Sequence, residues 1–272
     1  MCVSSLPARL SDTIVYLGRT SHPAHGDIEV LGYQNTAASE ADGPNAMLLH
    51  LPAGARMTSG NFINVGRVAD PLADMAAAVA GPIATARGGI DWMSAEETVE
   101  VFEHDVYTVV LAGDPALIPA ALERVPVERR PVITGELLDF YARTFPGYTI
   151  ALCCFDNADA LRARPLMLWY EPADPGELRM PGLDCHSGGV PVPGMRVERD
   201  HLLLFGGDEA PEETTSPVTY RPGMRHRLRR FLPGRVHGIR VNEVETPELF
   251  ANGDFVLPLD DLRAGRFRVR VG

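Results

Sequence analysis

The chain contains no lysine: all 25 of its basic residues are arginine. That absence excludes Schiff-base chemistry on a lysine, the lysine of a phosphate-binding loop and the lysine of a kinase. A secretory signal is also missing, because Met1 to Pro7 carry no positive n-region and no long apolar run. Long hydrophobic runs are absent elsewhere too. The longest weakly polar stretch, 75–86, spans about a dozen residues and is interrupted by Gly81 and Pro82, too short and too broken to cross a bilayer. These absences set the expectation of a cytoplasmic protein with no membrane partner. The four cysteines, Cys2, Cys153, Cys154 and Cys185, are then expected to be thiols rather than a disulfide framework.

What is present is ordinary for a globular fold. At 45% hydrophobic and 22% charged residues over 272 positions, apolar content offsets the entropy of ordering the backbone, and 1–272 is read as a single domain. The net charge of −11 argues against general nucleic-acid binding. The charge is uneven: residues 1–220 hold 14 arginines against 30 acids, whereas 221–272 hold 11 against 6. A basic end on an acidic body either docks on that body or receives an anionic ligand. The acidic loop 207–216 between them has few apolar residues to bury and reads as a mobile segment or boundary.

The order of elements predicts an α+β fold, a largely antiparallel β-sheet with a few helices contributed mainly by the middle of the chain. Thr13–Leu17, Ile28–Tyr33 and Ala46–Leu51 read as strands, with 37–44 closing a hairpin. Asp70-Pro71 caps a helix through Ala80, and Asp114-Pro115 repeats the signal for a helix to Arg124. Ser94 to Glu97 fits a capping box, although the residues after it alternate like a strand. Val106–Leu111 is read as a buried strand, Gly135–Phe145 as a helix, and Tyr148–Phe155, Pro165–Tyr170, Leu178–Cys185, Leu202–Phe205 and Ile239–Val241 as strands. In Phe267–Val271, apolar residues alternate with Arg268 and Arg270, giving a last strand with one basic face.

Several constellations carry possible chemistry. Once Met1 is removed, Cys2 heads the chain, and its own α-amine, with a reference pKa near 7.7–8.0, can accept the thiol proton. The other reading of Cys2 is a residue in a frayed terminus. In Leu183-Asp184-Cys185-His186-Ser187-Gly188-Gly189, neighbouring side chains point to opposite faces, so Cys185 and His186 do not pair. His186 is instead a candidate general base for a cysteine elsewhere, with the glycine amides open to an oxyanion. The alternative there is a turn with a buried cysteine and a surface histidine. Cys153-Cys154 reads as core. Gly60-Asn61 is a candidate oxyanion donor, or simply turn chemistry. The stretch 221–240 holds seven arginines, two histidines and no acid. Its Arg225 and Arg227 are candidates for binding an anionic substrate, since guanidinium forks suit carboxylates. The rival chemistry is a metal centre built on His22, His25 and Asp27, with His186, His201 or His237 as a distal ligand, as in a metal-dependent oxygenase. No zinc-type spacing occurs, and no metal or cofactor is assigned.

Met1-Cys2, followed by a strand ending Leu17-Gly18-Arg19-Thr20, resembles the opening of N-terminal-nucleophile hydrolases of the choloylglycine hydrolase and penicillin acylase type. The resemblance covers about the first 20 residues, and where that family has an acid after the arginine motif this chain continues Ser21-His22-Pro23. It implies that Cys2 attacks an amide and that Arg19 is its electrostatic partner. The resulting expectation is a hydrolase or acyl-transfer enzyme acting on an amide or thioester of a small-molecule substrate, with Cys2, Arg19, Asn61 and His186 as its site. The alternatives are a non-catalytic binding protein with an arginine-rich anion site, and the metal-dependent oxygenase.

Overall fold

Apolar residues alternating with polar ones after Pro7 build the longest strands of the chain. In the computed structural model, which describes residues 3–66, 69–80, 99–156, 163–224 and 226–272, the elements run as follows. β1 (Val3–Ser4), β2 (Ala8–His22), β3 (Gly26–Ser39), β4 (Asn45–Leu51) and β5 (Phe62–Ile63) precede helix α1 (Pro71–Ala80). Then come β6 (Val99–His104), β7 (Tyr107–Ala112), α2 (Ile118–Leu122), α3 (Gly135–Thr144), β8 (Thr149–Phe155), β9 (Leu166–Tyr170) and β10 (Glu177–Met180). The last part holds β11 (Leu202–Gly207), β12 (Ser216–Pro217), α4 (His226–Arg229), β13 (Arg235–Arg240), β14 (Phe255–Pro258), α5 (Leu259–Arg263) and β15 (Arg270–Val271).

The strands form three sheets: a seven-stranded one in the order β12-β13-β11-β2-β3-β9-β5, a five-stranded one β1-β4-β8-β7-β6, and a three-stranded one β10-β14-β15. Every named pairing is antiparallel except that of β11 with β2, which is parallel from Leu202↔Ile14 to Gly207↔Arg19. The expected α+β class, mainly antiparallel with a few helices, is therefore what the chain adopts.

Period-two alternation explains the layering. Val15, Leu17, Leu31 and Tyr33 of the large sheet face Met47, Leu49, Val109 and Cys153 of the five-stranded sheet, and Phe255 and Leu257 close the same core. The opposite face of the large sheet, with Tyr16, Val30 and Leu204, receives Leu72, Met75 and Ala76 of α1. The opposite face of the five-stranded sheet, with Leu48, Val110 and Cys154, receives Ile118 of α2 and Leu137, Leu138 and Tyr141 of α3. Strands β4, β7 and β8 are covered on both faces, so they read as unbroken apolar runs rather than alternating ones. Cys153 and Cys154 are core residues as expected, and burial pushes the Cys154 thiol up to about 12.

Some boundaries differ from expectation. β2 and β3 run well beyond their apolar centres, because backbone pairing continues from Ala8↔Ser39 to His22↔Gly26 across a bulge at Ser11/Ile14. α1 starts as expected, with Asp70 Oδ1 accepting the Ala73 amide at 3.1 Å. After Asp114 the chain makes a 3-10 turn before α2, which ends at Leu122. The capping box at 94–97 lies outside the described residues. Only Arg270–Val271 of the last expected strand pairs, although exposure still alternates along 267–271.

The glycine of the Gly18-Arg19-Thr20 motif has a packing reason. A Cβ there would collide with the Tyr16 hydroxyl oxygen and lie 2.7 Å from the Gly206 carbonyl oxygen. Gly18→Ala is expected to destabilise the protein by about 2 kcal/mol or more, read as a lower urea midpoint. Gly113→Ala, with nothing within 4 Å of its Cβ, should shift stability by less than about 1 kcal/mol. Equal effects would show that the β2–β11 contact does not restrict position 18.

Candidate functional site

The expected site residues go to separate places. Cys2 lies outside the described residues. The strand after it is firmly held: Val3 is fully buried, pairs with Leu48 and bridges Cys185, and the Ser4 amide donates to the Cys185 carbonyl at 3.0 Å. Arg19, near the end of β2, is one-tenth exposed and spends its guanidinium internally. It donates to the Glu29 carboxylate and to the backbone carbonyls of Asp174, Pro175 and Glu177. Asn61 closes a 3-10 turn, its Oδ1 accepting the Thr58 amide at 2.8 Å and its Nδ2 donating to the Trp169 carbonyl at 2.9 Å. Among the described residues, no hydrogen bond or ion pair joins Arg19, Asn61 and His186.

His186 does sit in a charged setting. Its Nε2 is 2.7 Å from Asp184 Oδ1, and the imidazole is about a quarter exposed (26%). The other Asp184 oxygen is 3.5 Å from His201 Nε2 and 3.6 Å from Arg199 Nε. Burial alone would raise the Asp184 pKa. The surrounding hydrogen bonds and positive groups, His186 and His201 among them, reverse that and hold its carboxyl well below the usual range. The Cys185 sulfur points elsewhere, 3.4 Å from both Ser187 Oγ and the Gly189 carbonyl. Gly188 is left-handed (φ 77°) where the loop passes Ser5 and Leu6.

In the basic segment, Arg225 lies outside the described residues and Arg227 is exposed on α4. Several of its neighbours dock on the body. Arg221 Nε donates to Asp74 Oδ1 at 2.8 Å, and Arg235 donates to the Glu212 and Thr215 carbonyls. The second of these ties the acidic loop to β13.

The His22 and His25 rings stack with centroids 4.6 Å apart, and the column continues to Phe231 on one side and Trp169 on the other. Stacked imidazoles direct their lone pairs sideways in parallel planes rather than toward a common point. Among the described residues, no group of three His, Cys, Asp or Glu side chains could hold a metal ion.

One concavity has no counterpart in the sequence reading. A cleft of about 760 Å³ lies between the end of α3 and the three-stranded sheet, lined by Phe145, Tyr148, Leu183, Pro193, Asp254 and Val271 among others. Its floor is fixed from beneath. His50, buried, sets Nε2 2.7 Å from Asp254 Oδ1 and stacks on Phe145 at 3.9 Å, while the Gly182 amide donates to the same carboxylate oxygen. One wall is a sheet edge. Asp254 and Gly272 exchange both backbone hydrogen bonds, at 3.2 and 3.0 Å. The antiparallel alternation then turns the N–H and C=O of Val271 away from β14. Beside the cleft, the turn through Pro193 and Gly194 exposes Val192 and Met195, each 53% accessible. The sequence signals here were faint: the Asn252-Gly253-Asp254 turn and the alternation in 267–271.

Compared with known proteins, the sequence matches no family model and no curated protein. Solved structures similar to it include baculovirus P35, at 10% identity and a TM-score of 0.45, over 96% of this chain and 92% of that one. P35 in a caspase-8 complex is similar at 9% identity and 0.41, over 95% and 89%. A mutated P35 after caspase cleavage is similar at 12% identity and 0.42, over 72% of this chain and 66% of that one. In that complex the partner of P35 is a protein, caspase-8, whereas the expectation for the present chain is a small-molecule substrate.

The ion pair at Arg19 generates a pH prediction. Glu29 is 1% exposed, and burial raises its carboxyl to about 7 despite the opposing pull of Arg19. An acid whose folded pKa lies above its unfolded value near 4.5 holds a proton in the native state that the unfolded chain has lost. Its contribution to stability therefore falls as pH rises from about 4.5 to 7. Relative to Glu29→Gln, the wild type should lose about 2–3 kcal/mol over that window in urea titrations. Parallel profiles for the two proteins would show that Glu29 titrates normally.

Proposed function

We propose that this is a non-catalytic binding protein that receives an extended segment of a protein partner in the cleft, as a strand added to β15. The observation that carries this is the outward-turned N–H and C=O of Val271 at the wall of an apolar cleft of about 760 Å³. A polypeptide supplies the matching main-chain donors and acceptors, and its alternate side chains find pockets. Exposed Val192 and Met195 extend the apolar surface past the rim, as a macromolecular partner requires.

The test offers purified caspase-8, the protein held in one of the similar structures, and reads binding by surface plasmon resonance and protection by hydrogen exchange. Binding is expected to slow exchange at Val271 and to weaken at least tenfold in Met195→Glu, whose side chain projects into solvent. No binding, or binding indifferent to both, would overturn the proposal.

A second reading rests on the Asp184–His186 contact of 2.7 Å. A carboxylate that fixes an imidazole is half of a nucleophile-activating arrangement, and β1 enters the fold beside it through the Val3–Cys185 bridge. Under this reading Cys2, freed of Met1, gives its thiol proton to its α-amine or His186 and attacks an amide or thioester carbonyl of the bound partner; the bond from that carbonyl to nitrogen or sulfur breaks, and the departing amine or thiol takes the proton. Intact mass should then show loss of Met1, and peptide mapping should find Cys2 alkylated well before Cys185 at pH 7. Retained Met1 in active protein, or equal labelling rates, would eliminate it.

A further inference from the structure

We propose that the exposed arginine face of α4 and the turn after it, Arg227, Arg229 and Arg230, is a second docking site, and that its occupant is an acidic segment of a partner polypeptide. This goes beyond the cleft and needs nothing bound there.

These arginines differ from their neighbours in what they touch. Arg221 is held by Asp74, and Arg235 by carbonyls of the acidic loop. Arg229 lies over the Tyr220 ring at 4.2 Å, leaving its charge unneutralised by a carboxylate. Among the described residues, no carboxylate or carbonyl is hydrogen-bonded to the Arg227 or Arg230 side chain, and both residues are exposed. Asp74 is engaged with Arg221, and Asp208 with the Thr20 hydroxyl and the Ser21 amide. The resulting positive field is felt locally. The His22 pKa is lowered by burial, by His25 and by Arg230.

The backbone beneath these charges is anchored. Leu228, 3% exposed, and Leu232 pack into the core under the large sheet, and the Phe231 ring stacks on His22 at 4.5 Å. A fixed backbone presents several forks at a smaller ordering cost than a loose loop would. Guanidinium forks match carboxylates in bidentate geometry.

Charge distribution selects a short acidic peptide over a nucleic acid. Residues 1–220 carry 14 arginines against 30 acids. Fields persist for about 8–10 Å at ordinary salt, so a short acidic segment stays within the arginine face, while a long polyanion runs onto the acidic body. Pro222-Gly223 and Pro233-Gly234 bracket a helix of only four residues, too short to read a groove.

The experiment uses fluorescence anisotropy with the full chain and three labelled probes: a decaglutamate, a decalysine and a ten-nucleotide oligothymidylate. Decaglutamate should bind with an affinity that falls at least tenfold between 50 and 300 mM NaCl, and any decalysine binding, to the acidic body, should not weaken in the arginine substitutions below. Arg227→Ser/Arg230→Ser should weaken decaglutamate at least tenfold with an unchanged thermal melt. Met195→Glu, at the cleft, should leave it as in the wild type, so failure here is separable from failure of the cleft proposal. Decaglutamate binding that ignores the double substitution, or oligothymidylate binding as tightly as decaglutamate, would overturn the assignment.

Discussion

A guanidinium buried at the end of β2 joins the two parts of the architecture that matter most. Arg19 reaches out of the large sheet to the carbonyls of Asp174, Pro175 and Glu177, where β10 begins. β10 pairs with β14, and β14 with β15, whose outer edge bounds the cleft. Position and charge are both required. Five donors on a rigid plane can satisfy one carboxylate and three carbonyls together; an ammonium, with three donors on one atom, cannot. A chain without lysine has arginine wherever a buried cation is wanted. Glu29 supplies the carboxyl that Arg19 meets inside the fold, and its burial holds it protonated below about pH 7. Gly18 and Arg19 thus each have a structural role, the one in packing and the other in this strut.

The fold was legible where local chemistry decided it. The Asp70-Pro71 cap, the alternation around Val15 and the apolar run of β8 each specify their element with no help from elsewhere. The parallel pairing of β11 with β2 was not legible, because nothing in a strand's own residues announces which neighbour it takes or in which direction. β2 and β3 outran their apolar centres for a related reason. Once a hairpin has its register, main-chain hydrogen bonds extend it through Arg9, Ser11 and Ser21, whose side chains carry no strand signal. At the other end, Phe267 keeps the burial of a strand residue without its pairing.

The site was less legible because neighbours in sequence show only what type of reactive residue is present, whereas distant partners set its role. Arg19 meets residues more than 150 positions away, and Asn61 meets Trp169. In both cases a polar group suited to catalysis donates to backbone carbonyls distant in sequence. The Asp184-Cys185-His186 segment is the exception in part: opposite-facing neighbours were expected, and the Cys185 sulfur and the His186 ring indeed take separate partners. The cleft escaped notice because its lining comes from α3, the 252–254 turn and β15, with no motif in any one of them.

The two proposed surfaces have different physics, and so different tasks. The cleft floor is preorganised. Asp254 is tied to His50 and Gly182, and Leu183 is held by the buried Asp184 cluster and by Asn252, which clamps the Asp184 backbone at both its N–H and C=O. A partner entering there meets walls that have already lost their freedom, so contacts made in the cleft lengthen its residence. The arginine face has a fixed backbone but solvated, mobile side chains. Each fork that closes on a carboxylate gives up rotamer entropy and gains a charge interaction weakened by salt, so the net gain per contact is small. Its reach, however, extends several ångströms into solvent, where the cleft exerts no pull at all. On the two proposals, the arginines set how fast and in what orientation an acidic partner arrives, and the apolar cleft sets how long it stays.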